Sequence, residues 1–351
     1  MIWLINFVFV FVGCGSAEVE PPPRDFPESF IWGTATAGFQ VDMGCPNMDD
    51  SACIDDASDW YQWVTEPEVV NQSSLYISGD DVRLGPGMWE LFEEDVARMK
   101  SDGMTQYRFS LEWSRLFPEA PKGTGMAALK AAVNMDAVTR YHQMFAALEA
   151  AGIAPMVTLN HYTLPLWVHD GVACNLDMET CAARGWVDEE WILPLVADYA
   201  AFCAAEFGAE VDAWATLNEP MATALSGYLF PGSDRSAPPG LSMSGMLIPV
   251  IQNQIIGHAA MYDAVIANDV IDADGDGTPA SVGLVLNMTA IETADPTDKE
   301  AALAVEHCDY IYHRLFLDGI TAGAWDLDFD GVPDETREDL KGRLDLSLIH
   351  I

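Results

Sequence analysis

Cations are scarce in this sequence. Its 351 residues hold 16 lysines and arginines against 55 aspartates and glutamates, a formal net charge of −39 at neutral pH. Such a surface repels nucleic acid and anionic membranes, and it favours solubility and neutral ligands. Spanning hydrophobic length is lacking too. The N-terminal apolar stretch, Ile2 to Val12 broken by Asn6, is too short to cross a bilayer and has the length of a signal-peptide core, although no Lys or Arg precedes it. No cysteine spacing resembles a zinc site. No Gly-x-Gly-x-x-Gly follows the first predicted strand, which argues against a dinucleotide fold. What is present is a chain half hydrophobic in composition and long enough to bury a large core, so global disorder is excluded.

The N-terminus reads as an address. Phe11-Val12-Gly13-Cys14 resembles a bacterial lipobox, in which the cysteine is lipidated and becomes the first mature residue. The expected division is a signal peptide over residues 1–14, a proline-rich extended tether over 15–24, and a folded domain over 25–351. The protein is expected to be exported, as a periplasmic or surface lipoprotein touching the membrane only through a lipid on Cys14. In an exported chain the close pairs Cys45/Cys53 and Cys174/Cys181 read as loop-stapling disulfides, while Cys203 and Cys308 fall in helical patterns and are expected to be buried thiols.

Short apolar runs alternate with helical faces of three- and four-residue spacing. Strands are predicted over Phe30 to Gln40, Thr105 to Ser110, Ala154 to Asn160, Val211 into Asn218-Glu219, and Val282 to Asn287, with helices between them. Alternation of this kind means parallel strands joined by right-handed crossovers, in a TIM barrel or an open doubly wound sheet. Polar residues cluster at several strand ends: Gln40, Arg108, His161, then Asn218 and Glu219. Many strands feeding one rim favours an α/β architecture of the (β/α)8 barrel type, whose chemistry sits at the C-terminal strand tips. Pro220 cannot donate to a ladder and should stop the fourth strand, leaving Glu219 at its tip.

Four of these segments resemble signatures of glycoside hydrolase family 1, the β-glucosidase family. They are Phe30-Ile31-Trp32-Gly33-Thr34-Ala35-Thr36-Ala37-Gly38-Phe39-Gln40, Tyr107 to Arg115, Thr158 to Pro165, and Thr216-Leu217-Asn218-Glu219-Pro220, in the family's order. The resemblance spans roughly Asp25 to Asp345. It implies a retaining β-glycosidase that needs no catalytic cofactor and acts on β-glucosides or short oligosaccharides. Glu219 would be the acid/base, Asn218 would bind the 2-hydroxyl, Gln40 and His161 the outer hydroxyls, and Arg108 would orient the nucleophile. Asp42, Tyr162 and Thr163 depart from the family's common Glu, Trp and Asp.

The family's nucleophile is a glutamate in a Thr/Ser-Glu-Asn-Gly motif on the seventh strand, and no such motif is present. Leu340 to Asp345 resembles the lead into the sixth strand, whereas Leu346 to Ile351 does not continue the family pattern. The expectation is an incomplete barrel of five to six β/α units, poorly stable and inactive by itself. Two loops, Asp272-x-Asp274-x-Asp276-Gly277 and Asp326-x-Asp328-x-Asp330-Gly331 with Asp334, have the alternating carboxylates and turn glycine that can wrap structural Ca²⁺, without the twelfth-position Glu of an EF-hand. The rival reading is a non-catalytic, calcium-stabilised surface lipoprotein that retains a sugar-binding rim.

Overall fold

The structure is a computed structural model, and it describes residues 26–27, 30–232 and 236–350. The predicted leader, Cys14 and the tether lie outside the described residues. Residues 1–31 and 32–351 form two units. In the first, the rings of Phe26 and Phe30 lie 4.6 Å apart. No described helix is long and apolar enough to cross a membrane.

The second unit alternates strands and helices. In chain order these are β1 (Gly33–Ala35), α1 (Gly38–Val41), α2 (Met88–Ser101), β2 (Gln106–Ser110), α3 (Met135–Ala151), β3 (Ala154–Asn160), α4 (Glu189–Phe207), β4 (Ala213–Asn218), α5 (Pro220–Tyr228), α6 (Ser244–Asn268), β5 (Ser281–Asn287), α7 (Lys299–Asp309) and β6 (Leu346–His350). The six strands pair in parallel in sequence order, β1 through β6. This is six strands of a (β/α)8 barrel, with no pairing of β1 to β6 among the described residues. The segment whose sequence leaves the family pattern nevertheless forms β6, with Gly283 opposite Leu346 and Asn287 opposite His350.

Local sequence explains the helices. In α3 the Asn134 side chain accepts from Asp136 N–H at the start, and Gly152 closes the end with a left-handed φ of 73°. Between them Val138, Tyr141, Phe145 and Leu148 recur on one face and are buried. Each such side chain contributes about 1.5–3 kcal/mol of burial. The main core lies between the sheet and its helices, with Trp214, Phe145, Phe202 and Phe207 fully buried. A second, small cluster of Met156, Ala215 and Val285 lines the opposite, inner face of the sheet.

Two expectations are corrected. The first strand spans three residues, not Phe30 to Gln40, because the chain turns helical at Gly38; Gln40 therefore stands on α1. Cys308 is exposed, unlike the buried Cys203, because α7 buries none of its residues. The structure adds an irregularity in β4, whose register against β5 shifts between Ala215 and Asn218. Strict alternation from Ala215 would put Leu217 inside the barrel, but the extra residue sends Leu217 to the outer core and brings Asn218 to the inner face.

Candidate active site

The strand tips enclose a cavity of about 380 Å³, lined by Gln40, Arg108, His161, Tyr162, Asn218 and Glu219 together with Thr36 and Val285. That volume falls in the ordinary range for small-molecule sites. The five residues singled out at strand ends thus share one hollow, although they come from α1 and from the ends of β2, β3 and β4. Two larger hollows, about 570 and 650 Å³, lie elsewhere and contain none of the five.

Glu219 follows the last residue of β4. Its N–H donates to Val285 O (2.8 Å), so the strand pairing continues, while its own φ of 45° is left-handed. That conformation in a non-glycine residue costs on the order of 1–3 kcal/mol and is concentrated at functional sites. Pro220 then opens α5 as its first residue. Tyr162, also left-handed with φ 75°, donates its phenol O–H to Glu219 Oε2 at 2.5 Å. Asn218 and Glu219 are both buried.

Arg108 projects from β2 across the inner face. Its Nη1 donates to Thr158 Oγ1 (3.1 Å) and to Asn218 Oδ1 (3.0 Å). With that carbonyl oxygen engaged, Asn218 has its NH₂ to offer a ligand. Burial lowers the pKa of Arg108, opposed by the charges of Glu219 and Tyr162. His161 packs edge-on against Tyr162, their ring centres 4.9 Å apart. The set supplies one acid, one cation, two amides, an imidazole and a phenol. Among the described residues, Glu219 is the only carboxylate lining the cavity.

Glu112, four residues past Arg108, does not line the cavity. It is buried behind it, where desolvation pushes its carboxyl up to about 7. Trp113 also packs behind the site, stacked on Tyr199 at 4.6 Å. Sequence reading noted Tyr162 only as a departure from the family; its hydroxyl was the available signal for the bond to Glu219.

The remaining predicted groups lie away from the cavity. Cys45 and Cys53 are joined by a disulfide, as are Cys174 and Cys181, with Cα separations of 6.0 and 4.9 Å. In one acidic loop the carboxylates of Asp272 and Asp274 come together with Asp212, which sequence reading missed; in the other Asp326, Asp328 and Asp334 come together. Asp276 and Asp330 belong to neither group. Both loops close alike: Asp272 accepts from the N–H groups of Gly275 and Gly277, and Asp326 from those of Phe329 and Gly331.

Compared with known proteins, residues 23–336 match the profile described as glycosyl hydrolase family 1. A β-galactosidase of Pyrococcus woesei is 32% identical over 330 residues, covering 87% of this chain and 63% of that protein. Beta-glucosidase 26 of Oryza sativa subsp. japonica is 34% identical over 307 residues, 86% of this chain and 52% of that protein. The crystal structure of the β-glycosidase from Thermosphaera aggregans superposes with a TM-score of 0.78 at 26% identity, over 93% of this chain and 66% of that one. The chain thus spans between about half and two thirds of the length of these relatives.

Proposed function

The chain belongs to glycosyl hydrolase family 1, and from that premise we propose that the cavity is the acid/base half of a retaining site for terminal β-glycosidic bonds of glucosides or galactosides, with Glu219 as the acid/base. The observation that carries the reading is the convergence of Gln40, Arg108, His161, Asn218 and Glu219 on one cavity at the strand tips. Glu219 would hand its proton to the glycosidic oxygen as the bond from the anomeric carbon breaks. It would then take a proton from the water that releases the sugar. Asn218, held by Arg108, would donate to the sugar's 2-hydroxyl, a contact that strengthens as the ring becomes oxocarbenium-like.

Retention also needs a second carboxylate about 5–5.5 Å from the first, to bond the anomeric carbon from the opposite face. Among the described residues the cavity holds one, Glu219. We therefore propose that this chain binds a β-glucoside without turning it over. The test is calorimetric titration of the full chain with thiocellobiose, an uncharged S-linked glucoside, beside an assay for aryl release from an aryl β-glucoside. Saturable binding, weakened at least ~10-fold (about 1.4 kcal/mol) by Asn218→Ala, with no aryl release, is the expected result. Absence of binding would overturn the sugar-site reading. Aryl release well above the spontaneous rate would overturn the one-carboxylate limit.

A further inference from the structure

We infer that Glu112 is a positioning residue that fixes the spacing of the two arms carrying Gln40 and His161, and so governs the grip of the cavity on a sugar. The inference rests on the sugar-site reading above, and it concerns a residue that touches no ligand.

Glu112 immediately follows β2 by two residues and is 1% exposed. Its carboxylate joins two chains of hydrogen bonds. On one side Oε1 accepts from Ser110 Oγ (2.7 Å), and Ser110 Oγ accepts in turn from Gly38 N–H (2.8 Å). Gly38 opens α1, two residues before Gln40. On the other side Oε2 accepts from Thr163 Oγ1 (2.6 Å), two residues after His161. The Thr163 carbonyl oxygen is itself held by Asn160 Nδ2 (2.8 Å), which closes that arm onto the end of β3. Glu112 is anchored from behind, because its N–H donates to the Tyr141 hydroxyl (2.8 Å) on α3.

The fit is tight as well as bonded. A Cβ at position 38 would lie 2.5 Å from Glu112 Cγ and Oε1, so only glycine lets α1 approach this closely. Gln40 is exposed on a helix of only four residues, which is too short to hold its side chain rigidly by itself, and His161 stands just past the end of β3. A shared buried acceptor between them removes that freedom. Both bonds are buried, and leaving their partners unpaired in the interior is costly.

The test compares Glu112→Ala, Glu112→Gln and Thr163→Val in the full chain. Affinity for thiocellobiose is measured by calorimetry, and amide hydrogen exchange is followed without ligand at residues 38–41 and 162–164. Glu112→Ala is expected to weaken binding ~10-fold or more, the loss of about one buried bond, and to raise exchange in both segments together. Glu112→Gln keeps an acceptor and is expected to recover most of the affinity. Thr163→Val is expected to raise exchange at 162–164 alone. In a Gln40→Ala background the Glu112→Ala change is expected to cost less, since one of the two arms no longer carries a contact. Equal cost in both backgrounds would mean a general packing role and would overturn the inference. So would unchanged exchange in both segments. Should Glu112→Ala not fold, Glu112→Gln and Thr163→Val carry the test, and no change at 162–164 in Thr163→Val sinks it. A wild-type chain that binds no thiocellobiose defeats the sugar-site reading, while the exchange measurements still decide whether Glu112 ties the arms.

Discussion

Tyr162 and Glu219 are two of four described non-glycine residues with positive φ, and they are bonded to each other. The left-handed turn at each aims its side chain into the hollow instead of along the sheet. The phenol O–H then holds the carboxyl that the turn has presented. Tyr162→Phe removes that donor and nothing else of size. It is expected to lower unfolding free energy by about 1–2 kcal/mol, read from urea denaturation, since a bond to a carboxylate exceeds the ordinary net value near 1 kcal/mol. An unchanged midpoint would mean that Glu219 is held by its other contacts. The importance of Glu219 and Asn218 was legible from the Asn-Glu-Pro run after an apolar strand. The phenol contact was not, because it joins residues 57 positions apart in sequence.

At the scale of elements, α6 shows how a helix is tied to the sheet it covers. His258, fully buried on α6, accepts from Thr216 Oγ1 of β4 at Nδ1 (2.6 Å) and donates from Nε2 to Arg343 O ahead of β6 (2.6 Å), the tautomer being assigned from these partners. Burial lowers its pKa to about 4, partly offset by the bond to Arg343. The folded state then binds fewer protons than the unfolded one between about pH 4 and the ordinary value of 6.5. Stability from this group is therefore present above 6.5 and is lost as pH falls toward 4, by on the order of 3 kcal/mol. Glutamine at 258 can keep both hydrogen bonds without titrating. The urea midpoint of the wild type is expected to fall relative to His258→Gln as pH drops through that window; a constant difference would count against it. The alternation of strands and helices was readable from periodicity. Element ends were not: the apolar run from Phe30 reads as one long strand, yet close packing of Gly38 on Glu112 ends it at Ala35.

The whole molecule carries a net charge of −39. Several of its few cations are spent in local pairs such as Arg83–Asp81 and Arg337–Asp339, which leave most of the negative surface unpaired. Self-repulsion of that size opposes the compact state. Raising NaCl from about 0.01 M to about 1 M shrinks the screening length from about 30 Å to about 3 Å, and it is expected to raise the urea midpoint steadily. A flat or falling midpoint would show that repulsion is no significant term. The same charge favours neutral ligands over anionic ones, in keeping with an uncharged sugar in the cavity.

Composition, periodicity and four short motifs by themselves determined the fold class, the order of the strands and the set of five side chains at the rim, because each of these is written in local pattern. Folding decided which way those side chains face. Alternation along β4 would turn Asn218 outward, and only the extra residue against β5 brings it in to Arg108. It also decided that Glu112, in the middle of the Tyr107–Arg115 motif, closes a bridge between Gly38 and Thr163. Register shifts and buried ties depend on which residues meet across strands, and spacing along one chain carries no record of that meeting.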